Sequence, residues 1–420
     1  MTKEAIRVAI VDRTVPHYRA ALYGRLMASD SARYHIVAAA DAPEAMSCVP
    51  YSNGWPWTLS PYHVIPGTKG GSIWQWGAVK AGLSRRFDVI LMMANPRDPS
   101  LWACAIAAKL TGKRVLMWTH GYRRHGRGPV NRVRRVWHRL ADALLFYGHY
   151  GKVLSLGAGD PPEKCYVIYN STDYDRQRVL RDRITPDRRR AIRQSLFGRQ
   201  PAAVAMAISR FYAGKRVDLL VEAHARLVRA GRDVDLLLVG DGDARPALEA
   251  QVERLGTGER VLFYGPCYDE DRTGELIAAS DVTVAPAELG LTAMHSLAYG
   301  VPVLANDDPL NNRPEFEAII PGRTGDFFRR DDLDSLTRTI EAWLVPAPRR
   351  PHVEAACIEV IERFYNPDAQ ASVIERAVRG EPPDDLAVAR ASMARASAAR
   401  ASAARRSSPT RPPAPPRSPT

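Results

Sequence analysis

Arg210 and Lys215 stand five residues apart in "SRFYAGK", directly after the apolar run "AAVAMAIS". A guanidinium grips a phosphate through two parallel hydrogen bonds and an ammonium acts as a mobile point charge, so two such groups on one loop suit a diphosphate. A second candidate lies in "PAELGLTAMHSLAYGVPVL" (286–304), where a short polar loop ending at Gly290 opens an apolar helix carrying His295. At Gly290, Leu291 and Thr292 the unpaired N–H groups of a helix N-terminus would meet the positive end of the helix dipole, which favours a phosphate anion. Glycine there allows a ligand to come close. Read alone, the stretch fits equally well a tight turn that needs glycine only for backbone shape, and a histidine on an apolar helix also fits a satisfied packing residue.

These residues must be positioned by the elements around them. In the first half "IRVAIV", "YHIVAA", "FDVILMM", "RVLMWT", "DALLFYG" and "CYVIYN" alternate with helix-period segments; in the second half "AAVAMAIS", "VDLLLVGDG", "RVLFYG", "DVTVAP" and "VPVLAN" do the same. Near-continuous apolar strands separated by helices indicate parallel sheets covered on both faces. The expected class is α/β, with two Rossmann-like domains facing across a cleft and ligands beyond the carboxyl ends of the strands. The expected boundaries are a first domain over 1–175, a linker over 176–200, a second domain over 201–350, helices over 351–380 that pack back on the first domain, and a disordered tail over 381–420. The linker reading rests on the arginine-rich "RDRITPDRRRAIRQSLFGRQP", whose prolines leave room for one short helix.

A chain of 420 residues exceeds what one core supports. The fractions of 45% hydrophobic and 25% charged residues are those of a globular protein, and no stretch reaches the roughly 20 apolar residues of a membrane helix. The start, "MTKEAIRVAIVDRTVPHYR", breaks its apolar run at Asp12 and Arg13, which fits a buried strand and not a leader, so a cytoplasmic location is expected. Five scattered cysteines have no zinc spacing and read as reduced thiols. The net charge of +13 is local: residues 387–420, "AVARASMARASAARASAARRSSPTRPPAPPRSPT", hold seven arginines and no acid, leaving +6 elsewhere. No GxGxxG or GxxxxGK[ST] opens a helix after the first strand of either half, which excludes the dinucleotide and P-loop fingerprints.

"SRFYAGKRVDLLVEAHARL", "LLLVGDGDARPALE", "VLFYGP", "ELIAASDVTVAP", "GLTAMHSLAYGVPV" and "PEFEAIIPGRTGDFF" occur in the order seen in the family 4 (group 1) retaining nucleotide-sugar glycosyltransferases, and the chain resembles that family over about 202–328. "IYNSTDYD" is similar to the family's crossing segment, with Ser171 where glycine is usual. The resemblance implies the GT-B fold, a nucleoside diphosphate sugar as donor, no metal and no other cofactor. It assigns Arg210 and Lys215 to the diphosphate, Gly290, Leu291 and Thr292 to the phosphate turn, and Tyr264, Gly265 and Pro266 to the loop that receives the base. Two glutamates eight residues apart are usual in the family; Ala287 and His295 stand there, with Glu288 displaced by one. The chain resembles a subset with histidine at the second position, which implies that His295 faces ribose or phosphate and that Glu315 holds donor hydroxyls.

In the first half, "MWTHGYRRHGRG" puts His120 at the carboxyl end of a strand, where family members carry a functional histidine; a loop-capping role is the alternative. His17, Tyr18 and Arg19 follow the first strand and are candidates for acceptor contacts. Between Arg123 and Arg139, seven arginines and Trp137 with no acid suit an anionic membrane or a lipid diphosphate, or a solvated basic helix. The implied reaction is glycosyl transfer with retained configuration to a saccharide or lipid-linked acceptor, such as a bacterial surface polysaccharide or glycolipid precursor, in an enzyme that is cytoplasmic or peripheral on the inner membrane face. The rival readings are a degenerate scaffold that binds nucleic acid or regulates through its arginine tail, and a GT-B epimerase or phosphorylase-like enzyme.

Overall fold

The computed structural model describes residues 5–40, 48–68, 71–122, 128–344 and 350–383. Arg123, Arg124 and Arg127 of the basic stretch, and the tail from 384 onward, lie outside the described residues. The first half runs β1 (Ile6–Val11), α1 (Ala20–Met27), β2 (Ala32–Ala38), β3 (Trp57–Leu59), β4 (His63–Val64), β5 (Ile73–Trp74), α2 (Trp76–Leu83), β6 (Val89–Met93), α3 (Pro99–Leu110), β7 (Arg114–Thr119), α4 (Pro129–Arg139), β8 (Ala143–Phe146), α5 (His149–Gly157) and β9 (Cys165–Val167). The helices α6 (Tyr174–Arg183) and α7 (Pro186–Phe197) connect it to the second half. There follow β10 (Ala203–Ile208), α8 (Val217–Arg229), β11 (Val234–Val239), α9 (Arg245–Leu255), β12 (Val261–Gly265), α10 (Glu270–Ala278), β13 (Val282–Ala285), α11 (Thr292–Ala298), β14 (Val303–Asn306), β15 (Gly325–Phe328), α12 (Leu333–Trp343), α13 (Arg350–Phe364) and α14 (Pro367–Arg379).

The expected pair of α/β sheets forms. The first has seven strands in the order β3-β2-β1-β6-β7-β8-β9 and the second six in the order β12-β11-β10-β13-β14-β15, with every neighbour parallel. Strands β8, β11 and β14 are buried along their whole length, which is why they read as unbroken apolar runs. In each sheet the strand order reverses once, between β1 and β6 and between β10 and β13, and a crevice opens at the carboxyl ends of those strands. The short strand β3 and the β4–β5 hairpin were not legible: their segment, 50–74, is broken by Pro50, Pro56, Pro61 and Pro66.

The connector holds two helices where one was expected. Pro186, which read as a breaker, is the first residue of α7, where its missing N–H costs nothing, and the Thr185 side chain accepts from Arg188 N at 3.1 Å as the cap. The last helix, α14, starts the same way at Asn366 and Pro367 and inserts Ile374, Ala377 and Val378 into the core of the first sheet beside Leu22, Leu26 and Tyr34. Arg114 donates to the carbonyl of Val378 at 2.6 Å, so the chain's return is fixed by polar contact as well as by packing.

Candidate active site

The loop leaving β10 is moulded by glycines on its neighbour. Gly240 has φ of 138°, and a Cβ there would lie 1.8 Å from the carbonyl oxygen of Ser209; a Cβ on Gly242 would lie 2.1 Å from that of Phe211. This close approach lets Ser209 N donate to Val239 O (3.0 Å) and Phe211 N to Asp241 O (2.8 Å), which pins the backbone on both sides of Arg210. Arg210 itself is exposed and has no ion-pair partner among the described residues. Lys215 turns back to the loop leaving β13: its Nζ donates to the carbonyl of Glu288 at 3.0 Å and lies 3.5 Å from Glu288 Oε2, whose other oxygen pairs with Arg313 Nε at 2.5 Å. The displaced glutamate therefore bridges two cations.

The same loop is held from behind. Leu289 N donates to Asn312 Oδ1 (3.0 Å), Arg313 N to Leu289 O (2.8 Å) and Asn306 Nδ2 to Ala287 O (2.8 Å). The N–H groups of Gly290, Leu291 and Thr292 then have no protein acceptor among the described residues, and no side chain caps α11. Gly290 is outside the left-handed region, and a Cβ there would meet only Arg313 Cγ, at 3.7 Å. Backbone shape therefore does not demand glycine at this position, which removes that reading and leaves open access to the amides as its physical effect.

Beside this turn is a cavity of about 240 Å³ lined by Gln177, Ile208, Cys267, Tyr268, Thr292 and His295 among others. Thr172 Oγ1 lies 2.9 Å from Gln177 Oε1, and Gln177 Nε2 lies 2.8 Å from His295 Nδ1, so the ring is oriented by the chain crossing between the halves. With the amide donating, His295 keeps its proton on Nε2; burial pushes its pKa down to about 4, so the ring is neutral at pH 7. Tyr264, Gly265 and Pro266 do not line this cavity; Arg272 Nε donates to the Tyr264 hydroxyl at 2.9 Å, and the wall is built by the next two residues, Cys267 and Tyr268.

A second cavity of about 120 Å³ is lined by His120, Tyr122, Tyr147 and Gly148 from the first half and by Glu288, Asn312, Arg313 and Glu317 from the second. His120 stacks on Tyr147 with ring centroids 4.5 Å apart. Beneath it, Arg19 Nη2 donates to the Tyr147 hydroxyl (2.8 Å) and Nη1 pairs with Asp12 (2.9 Å), while the guanidinium lies 4.6 Å from the Trp118 ring. Arg19 is thus buried and supports the His120 platform. None of His17, Tyr18 and Arg19 lines either of the two cavities; His17 instead approaches Glu270 of α10 at 3.9 Å.

Glu315 also lines neither cavity. It is buried, accepts from Asn170 Nδ2 at 2.9 Å, and its Oε2 has no hydrogen-bond partner among the described residues; burial raises its pKa. Two positions away, Glu317 reaches across to the first half, where its carboxylate accepts from the N–H groups of His149 (2.7 Å) and Tyr150 (2.6 Å) at the start of α5. A negative group at a helix N-terminus is favourable, yet burial pushes this carboxyl up to about 7. A Cβ on Gly148 would lie 2.6 Å from Glu317 Oε1, so glycine at this position makes room for the contact. Nothing local in the sequence distinguishes Glu317 from a solvated glutamate. Among the described residues no group of three or more His, Cys, Asp or Glu could hold a metal ion, and no helix is long and apolar enough to cross a membrane.

Two Rossmann-like sheets, with a basic loop and a bare helix N-terminus at the switch point of the second, define the GT-B class. The protein superposes on the Anabaena protein Alr3699/HepE, solved in complex with UDP, with a TM-score of 0.68 over 89% of this chain and 100% of that one at 18% identity. Residues 202–345 match the family described as "Glycosyl transferases group 1". The chain is 29% identical over 240 residues to the 2-deoxystreptamine glucosyltransferase of Streptomyces kanamyceticus, covering 53% of this chain and 61% of that protein. It is 36% identical over 95 residues to the GDP-mannose-dependent alpha-(1-6)-phosphatidylinositol dimannoside mannosyltransferase of Mycobacterium tuberculosis, covering 22% of this chain and 24% of that one. The matched part thus spans about three-fifths of the first relative's length and a quarter of the second's.

Proposed function

We propose that the protein is a retaining glycosyltransferase that moves a sugar from a nucleoside diphosphate sugar to a hydroxyl of a saccharide or lipid-linked acceptor. The observation that carries this reading is the meeting, at the switch point of the second sheet, of the Arg210–Lys215 loop and the free amides of 290–292, beside a cavity that His295 lines. The group 1 family match over 202–345 and the UDP complex of the structural neighbour support it.

In this reading Arg210, Lys215 and the three amides take up the negative charge that develops on the diphosphate as the glycosidic bond breaks. Such donors act best when they need no rearrangement, and the glycine-pinned backbone on either side of Arg210 supplies that. His295, neutral, donates from Nε2 to the nucleoside part. His120, on its Tyr147 platform, meets the sugar from the other side of the cleft. The bound donor phosphate takes the acceptor proton, so no second protein carboxylate of the hydrolase kind is needed. Closure of the halves excludes water, which limits hydrolysis of the donor. A cytoplasmic enzyme working on a surface polysaccharide or glycolipid precursor at the inner membrane face is the setting this reading implies.

Titration calorimetry with UDP, GDP and their sugars, followed by NMR of the product's anomeric proton, tests it. One nucleotide should bind with a diphosphate-dependent affinity, and the product should keep the donor's configuration. If no nucleotide sugar binds and Arg210→Ala changes nothing, the reading fails.

A further inference from the structure

Among the described residues that line the cavity shared by the two halves, Arg313 is the only lysine or arginine, and Glu288 and Glu317 are the only carboxylates. Both carboxylates are already engaged. Glu317 accepts from the N–H groups of His149 (2.7 Å) and Tyr150 (2.6 Å), and Glu288 lies between Arg313 Nε at 2.5 Å and Lys215 Nζ at 3.5 Å. Asn312 is held too, since its Oδ1 accepts from Leu289 N (3.0 Å) while its Nδ2 donates to the carbonyls of Asn306 (2.8 Å) and Asp308 (3.2 Å). Arg313 is different. Its backbone N–H is tied to Leu289 O at 2.8 Å and its Nε to Glu288, which fixes where the guanidinium sits. Its Nη1 and Nη2 have no hydrogen-bond or ion-pair partner among the described residues. A guanidinium carries five N–H groups in a rigid fork, so a first carboxylate on Nε leaves a second, parallel pair of donors unused.

From this free donor edge, in a cavity whose own carboxylates are paired, we propose that Arg313 selects a donor whose transferred sugar bears a carboxylate, a uronic acid. The inference rests on the transferase reading and adds to it the class of sugar. Glu288 belongs both to this cavity and to the Lys215 contact, so the cavity begins one side chain away from the diphosphate loop, where a sugar joined to that diphosphate has to lie. A carboxylate there takes two parallel N–H···O bonds from the Nη pair, and the neutral hydroxymethyl group of a hexose cannot reproduce them. The resident acids offer little opposition: two cations share Glu288, and burial pushes the Glu317 carboxyl up to about 7. An acid on the acceptor would meet the cavity from the first half, where the described lining residues include no lysine or arginine.

The test is titration calorimetry of the full chain with UDP-glucuronate against UDP-glucose, and with GDP-mannuronate against GDP-mannose. In the nucleotide series that binds, the uronate should bind about 10–100-fold more tightly than the hexose, as expected for a charge-assisted pair of hydrogen bonds. Arg313→Leu should bring that ratio to about one. Arg313→Lys, which keeps the charge but not the parallel donors, should leave an intermediate ratio. Thermal melting checks that each variant is folded, and the wild-type ratio decides by itself where a variant is not. Nucleotide binding without a preference for the uronate, or a preference that survives Arg313→Leu, overturns the inference and leaves the transferase reading standing. Absence of binding by every nucleotide and nucleotide sugar removes both.

Discussion

At the scale of residues, the site is a set of small constraints that leave a few groups free. Gly240 is constrained by the carbonyl of Ser209, so Gly240→Ala forces the Arg210 loop away and strains a left-handed backbone. We expect it to cost roughly 1–3 kcal/mol of stability and to weaken UDP binding together with it, as measured by denaturant melts and calorimetry. Under the proposed function, Lys215→Ala removes a charge from the diphosphate site, and a loss of kcat/KM of about 10²–10³-fold is expected in steady-state kinetics. His295 is held below its ordinary pKa by burial, so the unfolded chain binds its proton where the folded one does not. Stability therefore falls as pH drops from about 6.5 toward 4, and His295→Gln should flatten that limb in urea melts recorded across pH. Gln177→Glu places a carboxylate on Nδ1 and should move the proton there, an outcome read directly from imidazole nitrogen shifts by NMR.

At the scale of elements, what the chain encodes locally and what it does not separate cleanly in α7 and α14. Each starts with a polar cap followed by proline and ends at a left-handed glycine, Gly198 or Gly380, so both ends are legible from a few residues. Where the two last helices pack differs: α14 follows the second domain in sequence and completes the core of the first, as expected for 351–380, whereas α13 packs Cys357, Val360 and Ile361 beside Leu297 and Val303 of the second half. Ile374→Ala removes a wholly buried side chain from that core, and about 2–5 kcal/mol of destabilisation is expected, visible as a lowered urea midpoint of the first half's tryptophan signal. The turn before α11 was found from its glycine and the apolar helix after it. The residues that hold that turn, Asn306 and Asn312, are polar groups in a loop-rich stretch and become recognisable only when their partners are in place.

At the scale of the whole molecule, charged and aromatic contacts join the two halves, and among them the Glu317 carboxylate, set against the N–H groups that start α5, has its pKa moved by burial. Its pKa, raised from the ordinary 4.5 to about 7, means that the folded protein holds a proton the unfolded chain has lost. The stabilisation is fully present below about 4.5 and is lost as pH rises through about 7. Glu317→Gln should therefore remove the decline in melting temperature over that window and leave UDP binding unchanged. A wild-type curve equally flat over that window would show that the carboxyl stays ionised throughout and contributes no such dependence.

The sequence by itself determined the two parallel sheets, because strands buried on both faces must be apolar along their length, and it put Arg210, Lys215 and 290–292 on loops at the carboxyl end of the second sheet, because loops after parallel strands have a known position at the sheet's end. Tertiary structure alone decided which neighbours those residues meet. Glu315 turned inward to Asn170, Glu317 crossed to the other half, Arg19 sank beneath Tyr147, and Trp137, read as a lipid-interface residue, packed inward on Trp102. The reason is the same in each case: the direction of a charged or amphipathic side chain depends on partners more than fifteen residues away, or on which helix face the sheet covers, and local pattern carries neither.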